Sequence, residues 1–309
     1  MEGGPWLVHG IAWDGPAEQG GAPSLRMAAA DGAEHEVALT PGLRLGWRVL
    51  DGRVHCLGFT RVHSARTRTR VPCPDRALAA HGAACPACEQ RDDTRLIHAF
   101  HRTGKVPEGL RDYLMQPHWL YVAMSAAGKV KIGTASSARR WNRLAEQGAA
   151  AAVYVAAAAD GRVVRVLEDA VTAGLGIGQA ISSAAKLAAF ASPLPAPRLA
   201  QLLDARAAEV TGLLGEVGGI GGFDVVRESW QPPAAGRGLL SETPRSVYPA
   251  DPAQGDHALT LASVLGPFAL GSAGPAGESF VAHLGRLRGR VIGLGPFESA
   301  LQPRQTPLF

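Results

Sequence analysis

All four cysteines of this 309-residue chain fall between positions 56 and 88. That clustering constrains the fold more than any other feature. Cys85-Pro86-Ala87-Cys88 is a C-x-x-C knuckle; Cys73 lies twelve positions before it, and Cys56 seventeen before that. Two thiolates at knuckle spacing can point at one ion while backbone amides stabilise the sulfurs. Four thiolates with none left over match a closed tetrahedral site, the structural class of zinc site, with no coordination position open for catalysis. Unrelated buried cysteines would scatter along the chain. A redox C-x-x-C would sit in a thioredoxin-like βαβ pattern, which does not surround this one. Cys56 closes an apparent strand, and His55, His63, His81 or His98 could replace it as the fourth ligand. Residues 56–101 have little regular apolar pattern, so such a segment needs a staple.

Composition bounds the rest. Hydrophobic residues make up 46% of the chain and charged residues 19%, which excludes wholesale disorder. Alanine, glycine, proline and arginine are abundant and lysine is scarce, the bias of a high-GC bacterial genome. The N-terminus, Met1-Glu2-Gly3-Gly4-Pro5, has neither the basic nor the apolar region of a signal peptide. The longest apolar run, Gly148 to Ala159, is 12 residues, whereas a membrane span needs about 20. These features predict a cytoplasmic protein with no membrane partner. In that reducing compartment clustered cysteines mean metal more often than disulfide. The formal net charge of +4 does not by itself imply a polyanion partner, so the distribution of charge matters more than its sum.

The predicted fold class is α+β. Residues 1–55 read as an N-terminal β region: Leu43, Leu45, Trp47 and Val49 alternate with their neighbours, and Asp31-Gly32 and Asp51-Gly52 mark turns. The four-cysteine segment spans 56–101. Residues 118–230 read as an α/β module with a helical extension. Within it, Trp119–Ala123, Val130–Gly133 and Ala150–Ala156 form three strands of an antiparallel sheet, and Ser137–Gln147 forms a helix. A second helix over Val163–Ala173 takes Val163, Val166, Leu167, Ala170 and Val171 as its apolar face. Two more helices follow around Gln179–Phe190 and Arg198–Glu216. Residues 231–245 read as a linker, 246–298 as a C-terminal β region and 299–309 as a tail whose last residues, from Gln302, lack order.

Basic residues fall in stripes. Arg66, Arg68 and Arg70 alternate with threonine, which in an extended chain puts three guanidinium groups on one face. The planar fork of arginine suits phosphate. A second group comprises Lys129, Lys131, Arg139, Arg140 and Arg143. For either stripe the alternative is a solvated face, which is the preferred reading of a third alternation, Arg286, Arg288 and Arg290. Gly174-Leu-Gly-Ile-Gly178 follows a helix instead of a strand, so no dinucleotide cofactor is expected. Gly274 to Ser279 lacks the lysine of a phosphate loop.

Tyr121 lies in the first strand of the module, Arg143 on its first helix and Glu168 on the next. Brought together, such residues suit phosphodiester chemistry. The carboxylate could hold Mg²⁺, the arginine could meet charge building on phosphorus, and the tyrosine could orient a nucleophile. Each also has a structural reading: Tyr121 packing its ring, Arg143 and Glu168 pairing across two helices, and Gln147-Gly148 capping a helix.

His118-Trp-Leu-Tyr-Val-Ala, Val130-Lys-Ile-Gly-Thr and Arg143-Leu-Ala-Glu-Gln-Gly-Ala149 resemble the bacterial domain-of-unknown-function 2797 family, as do the Glu168 helix, Lys186 and the cysteine segment. The resemblance covers roughly residues 40 to 200. The central module of that family in turn resembles a GIY-YIG nuclease domain. The resemblance implies Tyr121, Arg143 and Glu168 as catalytic residues, with Mg²⁺ or Mn²⁺ at Glu168. Lys131 stands where such nucleases carry a second tyrosine. It also implies a zinc-stabilised protein with DNA or RNA as partner, whose module binds and cleaves nucleic acid. The alternatives are a non-catalytic nucleic-acid-binding module, in which Lys131 and the arginines bind phosphate, and a zinc-stapled scaffold for other proteins.

Overall fold

A computed structural model describes residues 3–14, 21–80, 82–97, 100–104, 106–274 and 277–301. His81 and His98, two candidate ligands, lie outside the described residues, as do the tail from Gln302 and part of the glycine-rich stretch after Gly274. No helix among the described residues is long and apolar enough to cross a membrane.

Among the described residues, fifteen strands and seven α-helices make an α+β architecture. The strands are β1 (Gly3–Asp14), β2 (Ala22–Ala28), β3 (Glu34–Ala38), β4 (Arg44–Asp51), β5 (Phe59–Val62), β6 (Arg68–Val71), β7 (His118–Met124), β8 (Val130–Ser136), β9 (Ala151–Ala158), β10 (Phe223–Trp230), β11 (Ser246–Val247), β12 (Asp256–Leu265), β13 (Phe268–Ala273), β14 (Glu278–His283) and β15 (Val291–Leu294). The helices are α1 (Pro86–Arg91), α2 (Phe100–Thr103), α3 (Glu108–Leu114), α4 (Arg140–Glu146), α5 (Gly161–Leu175), α6 (Ser183–Ala191) and α7 (Ala196–Glu216).

Strands from the two chain ends interleave in one nine-stranded sheet, ordered β11-β14-β13-β12-β4-β15-β1-β2-β3. The alternation read in β4 holds where it meets the core: Leu45 and Trp47 are buried, and the Trp47 indole donates to the Pro252 carbonyl at 2.9 Å. The stretch after Trp230 is not a bare connector. Ala234–Leu240 forms a 3-10 turn that buries Leu239, and the Ser263 hydroxyl of β12 donates to the Ala235 carbonyl at 2.6 Å.

The central module contains the three expected strands, joined by a fourth, in the order β10-β9-β7-β8. Both faces of this antiparallel sheet are covered. Leu120, Val122, Ile132 and Val155 pack against α5 and α7 through Val164, Leu167, Val171, Val210 and Leu214. Tyr121, Ala123, Ala152 and Tyr154 face the other way, towards Leu144 and Ala145 of α4 and the core of the large sheet. Burial on both faces explains why β7 and β9 read as nearly continuous apolar runs.

Helix α5 starts earlier than expected because Asp160 caps it, accepting from the amides of Arg162 and Val163 at 2.8 Å. It stops at Gly176, which is left-handed with φ 66°. Its buried face is Val164, Leu167, Glu168 and Val171, not the stripe through Val166 and Ala170. Positions 164, 167, 168 and 171 follow i, i+3, i+4 and i+7, so that stripe carries Glu168 inward.

Candidate functional site: a four-cysteine centre and a buried basic cluster

The cysteine segment folds as a β5–β6 hairpin and the short helix α1, with hardly any core but the cysteines themselves, Phe59 and a few flanking apolar side chains. Cys85 sits at the N-cap of α1 in extended conformation, Pro86 opens the helix, and Cys88 falls in its first turn. Cys56 is brought in by backbone bonds from its own amide to Ala77 and from Leu57 to Ala83, both 2.8 Å. The four Sγ atoms lie within 4.8 Å of one another and all four residues are buried. A zinc ion with Zn–S bonds of about 2.3 Å sets tetrahedral sulfur–sulfur edges of about 3.8 Å; Cys73 and Cys85 are 3.9 Å apart. The Cys56 sulfur accepts amide hydrogens from Gly58 at 3.3 Å and Cys85 at 3.1 Å. Burial pushes the Cys56 and Cys88 thiols above their ordinary value, while the amide of Cys88 brings Cys85 down to about 7. Four sulfurs gathered in so little apolar surroundings fit a divalent cation that would hold them as thiolates. Of the alternative ligands, His55 bonds Asp51 and His63 bonds Thr69, each at 3.0 Å.

A second cluster forms at the β8 edge of the central sheet. Tyr121 is directly opposite Gly133 across the β7–β8 pair. A Cβ on Gly133 would lie 2.5 Å from the Tyr121 hydroxyl, so the glycine is what lets the ring lie across β8. Lys131, two residues along the same face, donates from Nζ to the Tyr121 hydroxyl at 3.5 Å, and that hydroxyl donates to Gln147 Oε1 at 3.3 Å. Lys186 of α6 donates to the Gln147 carbonyl at 2.7 Å. Glu168 reaches the cluster from α5, ion-paired with Arg165. Tyr121 is 1% exposed, Glu168 3% and Lys131 7%, whereas Arg143 is exposed.

Electrostatics ties these residues together. Burial raises the Tyr121 phenol, and the Arg143 charge opposes that rise. Lys131 is lowered to about 7, first by burial and then by repulsion from Lys186 and Arg143, against the pull of Glu168. Lys186 is lowered by burial and by Arg143. Burial raises Glu168, against Arg165 and Lys131. The structure therefore brings Tyr121, Lys131, Arg143 and Glu168 together, and adds Gln147, Lys186 and Arg165. Gln147 was readable only as a cap residue. The cap is there, with Gly148 left-handed at φ 66°, and the side chain that precedes it serves the cluster. Mg²⁺ takes oxygen ligands, commonly one or two carboxylates plus substrate phosphates. Glu168 offers one such carboxylate, but Arg165 already engages it and Lys131 flanks it, so a divalent ion there would compete with cations in place. Among the described residues, the four cysteines are the one group of three or more His, Cys, Asp or Glu side chains placed to hold a metal.

The stripe residues part company. Strand β6 starts at Arg68, and Arg66 sits in the preceding turn, its amide bonded to Ser64 Oγ at 3.2 Å. Arg66, Arg68 and Arg139 line one cleft of about 320 Å³. Arg70 donates to the Leu57 carbonyl at 3.3 Å and lines a different cavity, of about 440 Å³, beside Cys56 and Cys73. Lys129 is exposed at the β7–β8 turn. Arg140 stacks on Trp119, 4.2 Å from the ring centre, and pairs with Glu228 at 2.9 Å. Arg286 sits in a 3-10 turn and pairs with Asp251 at 2.7 Å, so the third alternation is not a strand face there.

No curated protein and no solved structure matches this chain. One family model does match: the family described as "Protein of unknown function (DUF2797)", over residues 80–191, a span that takes in Cys85, Cys88 and every residue of the basic cluster.

Proposed function

We propose that this is a zinc-stapled nucleic-acid-binding protein whose central module grips phosphate through the cluster around Tyr121. The observation that carries this reading is the charge balance of the cluster. Lys131, Arg143, Arg165 and Lys186 converge there, and the carboxylate among them, Glu168, is already paired. Burial is the main cause that lowers Lys131 and Lys186, and repulsion from neighbouring cations adds to it; that repulsion is what an incoming phosphate would relieve. Exposed Arg143 would make first contact, as a planar fork suited to phosphate oxygens. Zinc, when bound to the four cysteines, supplies folding energy to the segment that precedes the module.

A second reading, metal-dependent cleavage, is favoured by one coincidence. The four residues that the GIY-YIG resemblance singles out are the ones that meet. Against it stand the Arg165–Glu168 pair and the lysine in place of the second tyrosine. The test is a panel of labelled single- and double-stranded DNA and RNA, incubated with Mg²⁺ or Mn²⁺. The expected result is salt-sensitive binding without products. Products that appear only with the metal and disappear in Glu168→Gln would establish the second reading. A protein that binds none of the panel at low salt would be a scaffold.

A further inference from the structure

The cleft lined by Arg66, Arg68 and Arg139 lies where the β5–β6 hairpin meets β1 and α4, and it shares no lining residue with the Tyr121 cluster. Three features mark it as built to receive something. First, Arg66 and Arg68 have no ion-pair partner among the described residues, while Arg139 is paired with Glu146 at 2.6 Å. Second, Trp13 and Ser136 also line the cleft, and the Trp13 Nε1 and Ser136 Oγ atoms are buried without a hydrogen-bond partner. The two residues are 1% and 2% exposed, and a buried donor left unpaired costs on the order of 1–3 kcal/mol unless a ligand or water satisfies it. Third, the half-buried ring of Tyr113 lines the same space beside Ile97 and Val62. Free guanidinium groups, orphaned buried donors and an aromatic side chain in one lining together suit an anion attached to a flat ring. The volume, about 320 Å³, is at the small end of ligand pockets, the size of a single monomer unit.

We propose that this cleft binds one nucleotide unit, its phosphate on Arg66 and Arg68 and its base against Tyr113. The unit comes either from a free nucleotide or from a single-stranded chain; only the latter source rests on the nucleic-acid reading above. The test uses the full-length, zinc-loaded protein. Calorimetry measures binding of the four nucleoside monophosphates and of inorganic phosphate, and anisotropy measures binding of a labelled single-stranded oligonucleotide. Arg66→Gln with Arg68→Gln changes exposed side chains of the hairpin and spares the metal centre. It should weaken mononucleotide binding by about tenfold or more, the loss that goes with a charge-assisted hydrogen bond. Tyr113→Leu should weaken nucleotides and leave inorganic phosphate unchanged. Mononucleotides that fail to bind, or that bind equally well to the double variant, overturn the proposal; so does a Tyr113→Leu protein with undiminished nucleotide affinity. The two readings fail separately. Oligonucleotide binding that survives in the double variant, without mononucleotide binding, removes the cleft and spares the nucleic-acid reading. Arg66- and Arg68-dependent mononucleotide binding without any oligonucleotide binding does the reverse.

Discussion

Lys131 is the residue on which the electrostatics of the module turns. It sits on an edge strand, folded inward over the Tyr121 ring, 5.4 Å from its centre. The folded state holds it near 7, against 10.5 for a free lysine. The unfolded chain therefore binds more protons between these two values. Stability from this group rises with pH through that window, and below about 7 the penalty for a buried charge is present in full. Lys131→Met should then raise the melting temperature at pH 6, with the gain shrinking towards pH 10. A gain independent of pH would mean that the amine is not buried as described. Gly133 offers a second test. Alanine there must displace the Tyr121 ring, and overpacking of this kind costs about 1–3 kcal/mol, readable as a lower urea midpoint. An unchanged midpoint would show that the ring moves freely. The sequence made Tyr121, Lys131, Arg143 and Glu168 legible as candidates because a strand–strand–helix order fixes their elements. It could not show Arg165 claiming Glu168. That depends on which i, i+3, i+4 stripe of α5 turns inward, and in an alanine- and valine-rich helix two stripes compete.

At the scale of elements, what was legible is what local chemistry decides. The cysteine centre depends on spacing within 33 residues of chain, Cys56 to Cys88, and β7 and β9 on uninterrupted apolar runs. Strand β10 was read as part of a helical extension. Its sequence, Phe-Asp-Val-Val-Arg-Glu-Ser-Trp, is largely exposed on an edge, so it lacks the buried face that would have marked it. The arginine stripe broke for a local reason: the Ser64 side chain draws Arg66 into a turn, and the four-residue strand β6 carries only Arg68 and Arg70. The segment from β5 to α1 has little apolar core beyond its four cysteines and Phe59, so a metal on those cysteines would supply much of its order. Chelation should abolish hydrogen-exchange protection in β5, β6 and α1 while β7 and β9 stay protected. Elemental analysis of untreated protein should find about one zinc per chain, as one tetrahedral site requires. Protection unchanged by chelation would contradict that account.

At the scale of the molecule, pairing between distant parts of the chain sets the frame. Leu45 lies opposite Leu259, and Trp6 opposite Ile292. Nothing in local sequence announces such partners, so the closing of both ends into one sheet was out of reach of periodicity. That sheet backs the Tyr121 face of the central module, with α4 and Gly148 against it; Gly266 approaches Gly148 so closely that a Cβ there would lie 2.5 Å from its amide nitrogen. The large sheet therefore supports the loop that carries Gln147. In the proposed function, exposed and half-buried cations of this module meet phosphate. The most direct measurement is the affinity of the zinc-loaded protein for a labelled oligonucleotide across a salt series. Phosphate contacts should give a log–log slope of about −0.7 to −0.9 each, flattened by roughly one contact in Arg143→Gln. Absence of binding at low salt, or a slope that Arg143→Gln leaves untouched, would contradict the proposed function.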